Sequence, residues 1–142
     1  MTPVELAPIA PNAKMTPASA SNKRLRVLVV EDSEQIAMCV EEALIDAGYV
    51  VIGPVGRLKA AVSLAQTEAL DAAVVDLDLY GESSLPVLEA LNQRAVPFVV
   101  ATAYDIHQTK LRFSNRPWLS KPYSLNVMLT ELRALTGERM PD

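Results

Sequence analysis

The chain has little of what several chemistries require. With one cysteine, Cys39, and one histidine, His107, among 142 residues, neither an intrachain disulfide nor a cysteine-based zinc site can be built. Basic residues are not in excess either: 13 Lys and Arg stand against 17 Asp and Glu, a formal charge of −4. Phosphate-backbone binders usually present a basic face, so direct nucleic-acid contact is not expected. No apolar run approaches the roughly 18 residues of a membrane span, which excludes a membrane role. The first residues also lack the basic start and apolar stretch of a secretory signal, and the chain reads as cytoplasmic.

What the first 23 residues do have is proline. Pro3, Pro8, Pro11 and Pro17 are interleaved with Ala, Ser and Thr without apolar periodicity, the composition of a disordered tail. Residues 24–142 then read as one domain, because half of the chain is apolar and its length suits a single core.

From Arg24 onward short apolar runs alternate with segments of helical period. "LRVLVV" (25–30) reads as a buried strand, and Ser33 to Ala47 places Ile36, Val40, Ala43, Leu44 and Ala47 on one helical face, with Cys39 packed in or near the core. Gly48 suits that helix's C-terminus. "YVVIGPV" (49–55) supplies a second strand, and a helix follows around Leu58, Ala61, Val62 and Ala65. The third strand runs from Asp71 to Asp76; Ser83 or Ser84 then caps a helix with Pro86 in its first turn and Leu88 and Leu91 inward. "PFVVAT" (97–102) is the fourth strand, a short fifth lies near Trp118 and Leu119, and a last helix sets Leu125, Leu129 and Leu132 at core spacing. Strands alternating with helices imply an α/β fold: a doubly wound, five-stranded parallel sheet with helices on both faces. Only 18 residues separate Thr102 from Lys121, and they include the fifth strand, so the fourth helix should be short or irregular.

In such sheets ligands collect beyond the carboxyl ends of the strands, near the point where strand order reverses. Strand one ends in Glu31 and Asp32, strand three in Asp76 and strand four in Thr102, while strand five delivers Lys121. In flavodoxin-like order 2-1-3-4-5 the first and third strands are neighbours, which gathers three carboxylates that would repel unless a cation compensates them. Mg²⁺ fits an all-oxygen set of this kind. With Lys121 as a second positive charge and Thr102 as a hydroxyl donor, the site can neutralise a phosphoryl group, and Asp76 at its centre is the natural nucleophile.

The strings "VVED" (29–32), "VVDLDL" (74–79), "VVATAY" (99–104) and "LSKPY" (119–123) fall in order at strand ends, and from Arg24 to Gly137 the chain resembles the receiver domain of bacterial two-component response regulators. The resemblance implies a stand-alone signalling module rather than an enzyme. Asp76 would accept a phosphoryl group from a sensor histidine kinase or phosphotransfer protein, and the signal would pass to a downstream protein by contact or phosphorelay. Position by position, it makes Asp32 a direct Mg²⁺ ligand, lets Glu31 act largely through water, and assigns Asp78 its backbone carbonyl as a ligand. Thr102 and Lys121 would bind phosphoryl oxygens; Thr102, Tyr104 and Trp118 would carry the switch; and a cis bond at Pro122 would aim Lys121 inward. "GESSLPVLEAL" and "VPFVVATAY" are similar to a mostly alphaproteobacterial group of single-domain receivers with a Phe-Ala-Thr-Gly motif, whose partners are often kinases of the HWE type. Val100 and Ala103 depart from that motif.

An enzyme reading competes. A haloacid-dehalogenase-like phosphatase also uses Asp-x-Asp after an apolar strand, and there Asp78 would be the general acid-base. Its Asp-x-Asp ordinarily closes the first strand, whereas here the acidic pair precedes it, on strand one. His107 reads as a loop residue rather than a phosphocarrier.

Overall fold

The computed structural model describes residues 24–103 and 117–137. The 1–23 tail, Tyr104, His107 and the expected fourth helix lie outside the described residues.

Strands β1 (Arg26–Val30), β2 (Val50–Val55), β3 (Ala72–Asp76), β6 (Phe98–Thr102) and β7 (Trp118–Ser120) form one parallel sheet in the order β2-β1-β3-β6-β7. This is the 2-1-3-4-5 order expected of the sequence. β3 and β6 are buried at every position, as strands covered on both faces must be. Between β3 and β6 the chain also makes a two-stranded hairpin, β4 (Asp78–Leu79) and β5 (Glu82–Ser83), which the sequence reading did not anticipate.

Alternation along the strands divides the core. Leu28, Val30, Ala73, Val75, Phe98 and Val100 point to the face covered by α2 (Leu58–Thr67) and α3 (Leu85–Gln93). Val27, Val29, Ala72, Val74 and Val99 point to the opposite face, where α1 (Glu34–Asp46) and α4 (Leu125–Thr136) bring Val40, Leu44, Met128 and Leu132. Phe98 is fully buried, a contribution of about 2–3 kcal/mol on area grounds. Among the described residues no helix is long and apolar enough to cross a membrane.

Local signals mostly act as expected. Ser33 Oγ accepts the Ile36 N–H at 3.3 Å and caps α1, which ends before Gly48 at φ +95°. The structure corrects the placement of Ile36 and Cys39 and refines two other expectations. Ala37, Val40 and Leu44 form the buried stripe of α1, leaving Ile36 at its rim and Cys39 exposed. In α4 Met128 is fully buried, whereas Leu125 and Leu129 are only partly so. Of the two capping candidates, Ser84 stands at the N-cap of α3 but its buried hydroxyl makes no capping bond, while Ser83 Oγ accepts the Leu85 N–H at 3.2 Å.

A carboxylate cluster at the carboxyl edge of the sheet

β1 and β3 are paired in register, so the residues at their ends arrive together. Glu31 and Asp32 follow β1, Asp76 closes β3, and the three offer carboxylate oxygens that all lie within 4.8 Å of one another. Glu31 and Asp76 are buried, at 6% and 4% exposure, and Asp32 is half-buried. Burying one carboxylate unpaired is costly; bringing three together adds repulsion.

Lys121 supplies the compensating charge. The β7 register carries it past Ser120, its N–H donates to the Thr102 carbonyl at 2.9 Å, and its bond to Pro122 is cis, as the resemblance implied. Its Nζ lies 2.7 Å from Asp76 Oδ2 and 3.4 Å from Glu31 Oε1. Burial alone would lower the lysine's pKa, but the bonds and charges of Asp76 and Glu31 hold it above its ordinary value. Two buried carboxylates therefore share one ammonium. The shortfall appears at Glu31, which burial in the first place, with the charge of Asp76, pushes up to about 7 against the opposing pull of the Ser33 N–H and Lys121. The same burial and the charges of Glu31 and Asp76 push the half-buried Tyr123 phenol up to about 12.

Asp32 is held differently. Burial would raise its pKa, but the Tyr80 N–H, donating to Oδ2 at 2.8 Å, and a hydrogen bond with Glu31 outweigh it and keep the carboxyl below its ordinary value. The Tyr80 hydroxyl donates to the Asp32 carbonyl at 3.2 Å, and the Tyr80 ring lies 5.0 Å from the Arg57 guanidinium. Tyr80 and Arg57 escaped the sequence reading. Only the Tyr80-Gly81 pair, plausible as a turn, could have hinted at the hairpin that brings Tyr80 back over Asp32.

Asp32, Asp76, Asp78, Ala103 and Lys121 line a recess of about 230 Å³. The Asp78 N–H donates to Asp76 Oδ1 at 3.2 Å, while the Asp78 carboxylate is not one of the three that cluster. Thr102 is buried at the end of β6, pairing with Ser120 behind Ala103, and Trp118 is partly buried against the α2–α3 core. An oxygen-only donor set, short of positive charge and open to a recess, fits a hard divalent cation. The acidic pair follows β1 and Asp76 closes β3, which is not the placement a phosphatase of the haloacid-dehalogenase type requires.

Comparison with known proteins agrees. Residues 27–133 match the family model described as response regulator receiver domain. The chain is 29% identical over 137 residues to the transcriptional regulatory protein PdtaR of Mycobacterium tuberculosis, covering 87% of this chain and 66% of that protein. It thus spans about two thirds of PdtaR, and about half of the curated relative TctD of Salmonella typhimurium. The solution structure of SdrG from Sphingomonas melonis Fr1 is similar at 36% identity with a TM-score of 0.69, covering 79% of this chain and 96% of SdrG. The fold also matches the receiver domain of the sensor histidine kinase PA1611 from Pseudomonas aeruginosa, with a TM-score of 0.68 at 22% identity over 82% of this chain and all of that one. That structure holds a magnesium ion in its active-site cleft.

Proposed function

The chain belongs to the response regulator receiver domain family, and on that premise we propose that it is a signalling switch phosphorylated on Asp76. A carboxylate oxygen of Asp76 attacks the phosphorus of a phosphohistidine on a sensor histidine kinase or phosphotransfer protein. The P–O bond forms as the P–N bond breaks, and the electron pair of the broken bond returns to the imidazole nitrogen. The observation that carries this reading is the Lys121 ammonium 2.7 Å from Asp76 Oδ2, with Glu31 and Asp32 beside it.

Glu31, Asp32, Asp76 and the Asp78 carbonyl would hold Mg²⁺, which supplies positive charge against the carboxylates and the incoming phosphoryl oxygens. Lys121 and the Thr102 hydroxyl donate to those oxygens, and Thr102, Tyr104 and Trp118 pass the change to the surface around β6 and β7. The output is a protein contact or onward phosphoryl transfer in the cytoplasm. Beyond its own phosphorylation and dephosphorylation the chain turns over no substrate.

Donor docking has a place in this reading. A largely apolar groove of about 430 Å³, lined by Ile36, Cys39, Pro122, Tyr123 and Leu125 among others, shares Lys121 with the recess. Its α1 wall comes from a helix carrying Glu34, Glu41, Glu42 and Asp46 and no basic residue, which suits a donor helix with an apolar stripe and a basic flank. Within the kinase class, the strand-four resemblance favours the HWE type. Ile36→Asp should slow transfer from a phosphorylated protein donor about 10-fold, as loss of a central interface contact does, and leave labelling by acetyl phosphate unchanged.

Acetyl phosphate with Mg²⁺, followed by intact-mass measurement, tests the assignment. One phosphoryl adduct on the wild type and none on Asp76→Asn is expected; equal labelling of both would overturn it.

A further inference from the structure

Tyr80 is an exposed residue in a costly conformation. It has φ +51° at the turn of the β4–β5 hairpin, a left-handed geometry that is unfavourable for a β-carbon-bearing residue and persists only where its surroundings over-determine it. What fixes it here is Asp32. The Tyr80 N–H donates to Oδ2 at 2.8 Å and the hydroxyl to the Asp32 carbonyl at 3.2 Å, across 48 residues of sequence. The far side of the ring is backed by the loop after β2. Arg57 lies 5.0 Å from the ring centroid, and at Gly56 even a β-carbon would come within 3.2 Å of Asp32 Cα and 3.6 Å of the ring. Three segments far apart in sequence therefore close on Asp32, the most open of the three clustered carboxylates.

We propose that Tyr80 is a positioning residue for the divalent cation: it fixes the Asp32 carboxylate through one oxygen and leaves the other for the metal. The inference rests on the cation-dependent switch proposed above. A carboxylate anchored before the metal arrives loses less rotamer freedom on binding, and hydrogen-bonded partners of ligands commonly govern metal affinity by 10- to 100-fold. The cost of the left-handed turn is then offset by a ligand held ready. Neither Lys121, which contacts Asp76 and Glu31, nor the Asp78 N–H, which contacts Asp76, performs this service for Asp32.

The test measures Mg²⁺ binding by isothermal titration, independently of phosphorylation, on wild type, Tyr80→Phe and Tyr80→Gly. Tyr80→Phe removes the hydroxyl bond and should weaken Mg²⁺ about 3-fold, in line with one lost neutral hydrogen bond. Tyr80→Gly removes ring and hydroxyl and frees the turn, and should weaken Mg²⁺ about 10-fold or more. At saturating Mg²⁺ both variants should regain the wild-type rate of labelling by acetyl phosphate. Variants with wild-type affinity for Mg²⁺, or with a labelling defect that saturating Mg²⁺ does not repair, would overturn the positioning role. If the wild type itself binds no Mg²⁺, the broader cation-dependent reading fails instead.

Discussion

On the inner side of the carboxylate cluster, Asp76 and Glu31 are 4% and 6% exposed and share the ammonium of Lys121; on the outer side, Asp32 is more open and is held by a neutral backbone N–H from Tyr80. Burial pushes Glu31 and Asp32 the same way, upward, but only at Asp32 do hydrogen bonds outweigh it. Glu31 is driven up to about 7, so the folded protein retains a proton there, whereas Asp32 falls below its ordinary value and stays ionised. Among the described residues the inner side has one ammonium for two carboxylates, and the outer side keeps a more open carboxylate. Together they make a site whose proposed nucleophile is buried beside a fixed cation and whose proposed metal ligand is reachable from outside.

The largest effect should come from breaking the inner side. Lys121→Ala removes the one cation bonded to Asp76 among the described residues and should slow labelling by acetyl phosphate about 100-fold, the usual loss for one preorganised charge at a transferring group; stopped-time mass measurements read it. A loss of only a few-fold would mean that the inner side does not depend on its lysine.

A smaller effect separates the sides by pH. In EDTA, between the ordinary value of 4.5 and about 7, folded Glu31 holds a proton that the unfolded chain has released. Unfolding free energy should therefore fall as pH rises through that window, by on the order of 1 kcal/mol or more, and Glu31→Gln should flatten the slope. Asp32, shifted the other way, adds stability above its unfolded value and loses it only in more acidic solution. Urea titrations of both proteins at pH 4.5 and 7.5 check the sign. The smallest effect belongs to Asp78→Ala, which spares the backbone carbonyl and should change labelling about 2-fold at most, because its carboxylate lies outside the cluster of three. Abolished labelling would restore a general acid-base role for that side chain.

Most of the inner side was legible in the sequence because it rests on strand ends. Strand ends fall at Glu31, Asp76, Thr102 and Lys121, and parallel strand order brings such ends together without any knowledge of side-chain contacts. On the outer side Asp32 was legible too, but what holds it was not. Tyr80 lies in a hairpin whose strands are two residues each, too short for an alternation signal, and its partner Asp32 is 48 residues away. The misplacement of Ile36 and Cys39 on α1 has a plainer cause. Ile36, Ala37, Met38, Cys39 and Val40 are consecutive apolar residues that span the whole helix circumference, so periodicity alone could not choose the stripe. Packing chose the one containing the small Ala37, and left Met38 60% exposed. At Ser84 the sequence marks a cap by residue type, but the hairpin sets a backbone angle from which the hydroxyl does not reach the helix N–H groups.

The central claim is that the inner carboxylate, and not its neighbours, takes the phosphoryl group. Borohydride reduces an aspartyl phosphate to homoserine, so peptide mass mapping after labelling with acetyl phosphate, Mg²⁺ and borohydride reads the acceptor directly. Homoserine at position 76 alone is the predicted result. Homoserine at position 32 or 78, or none at position 76 in labelled protein, would contradict it.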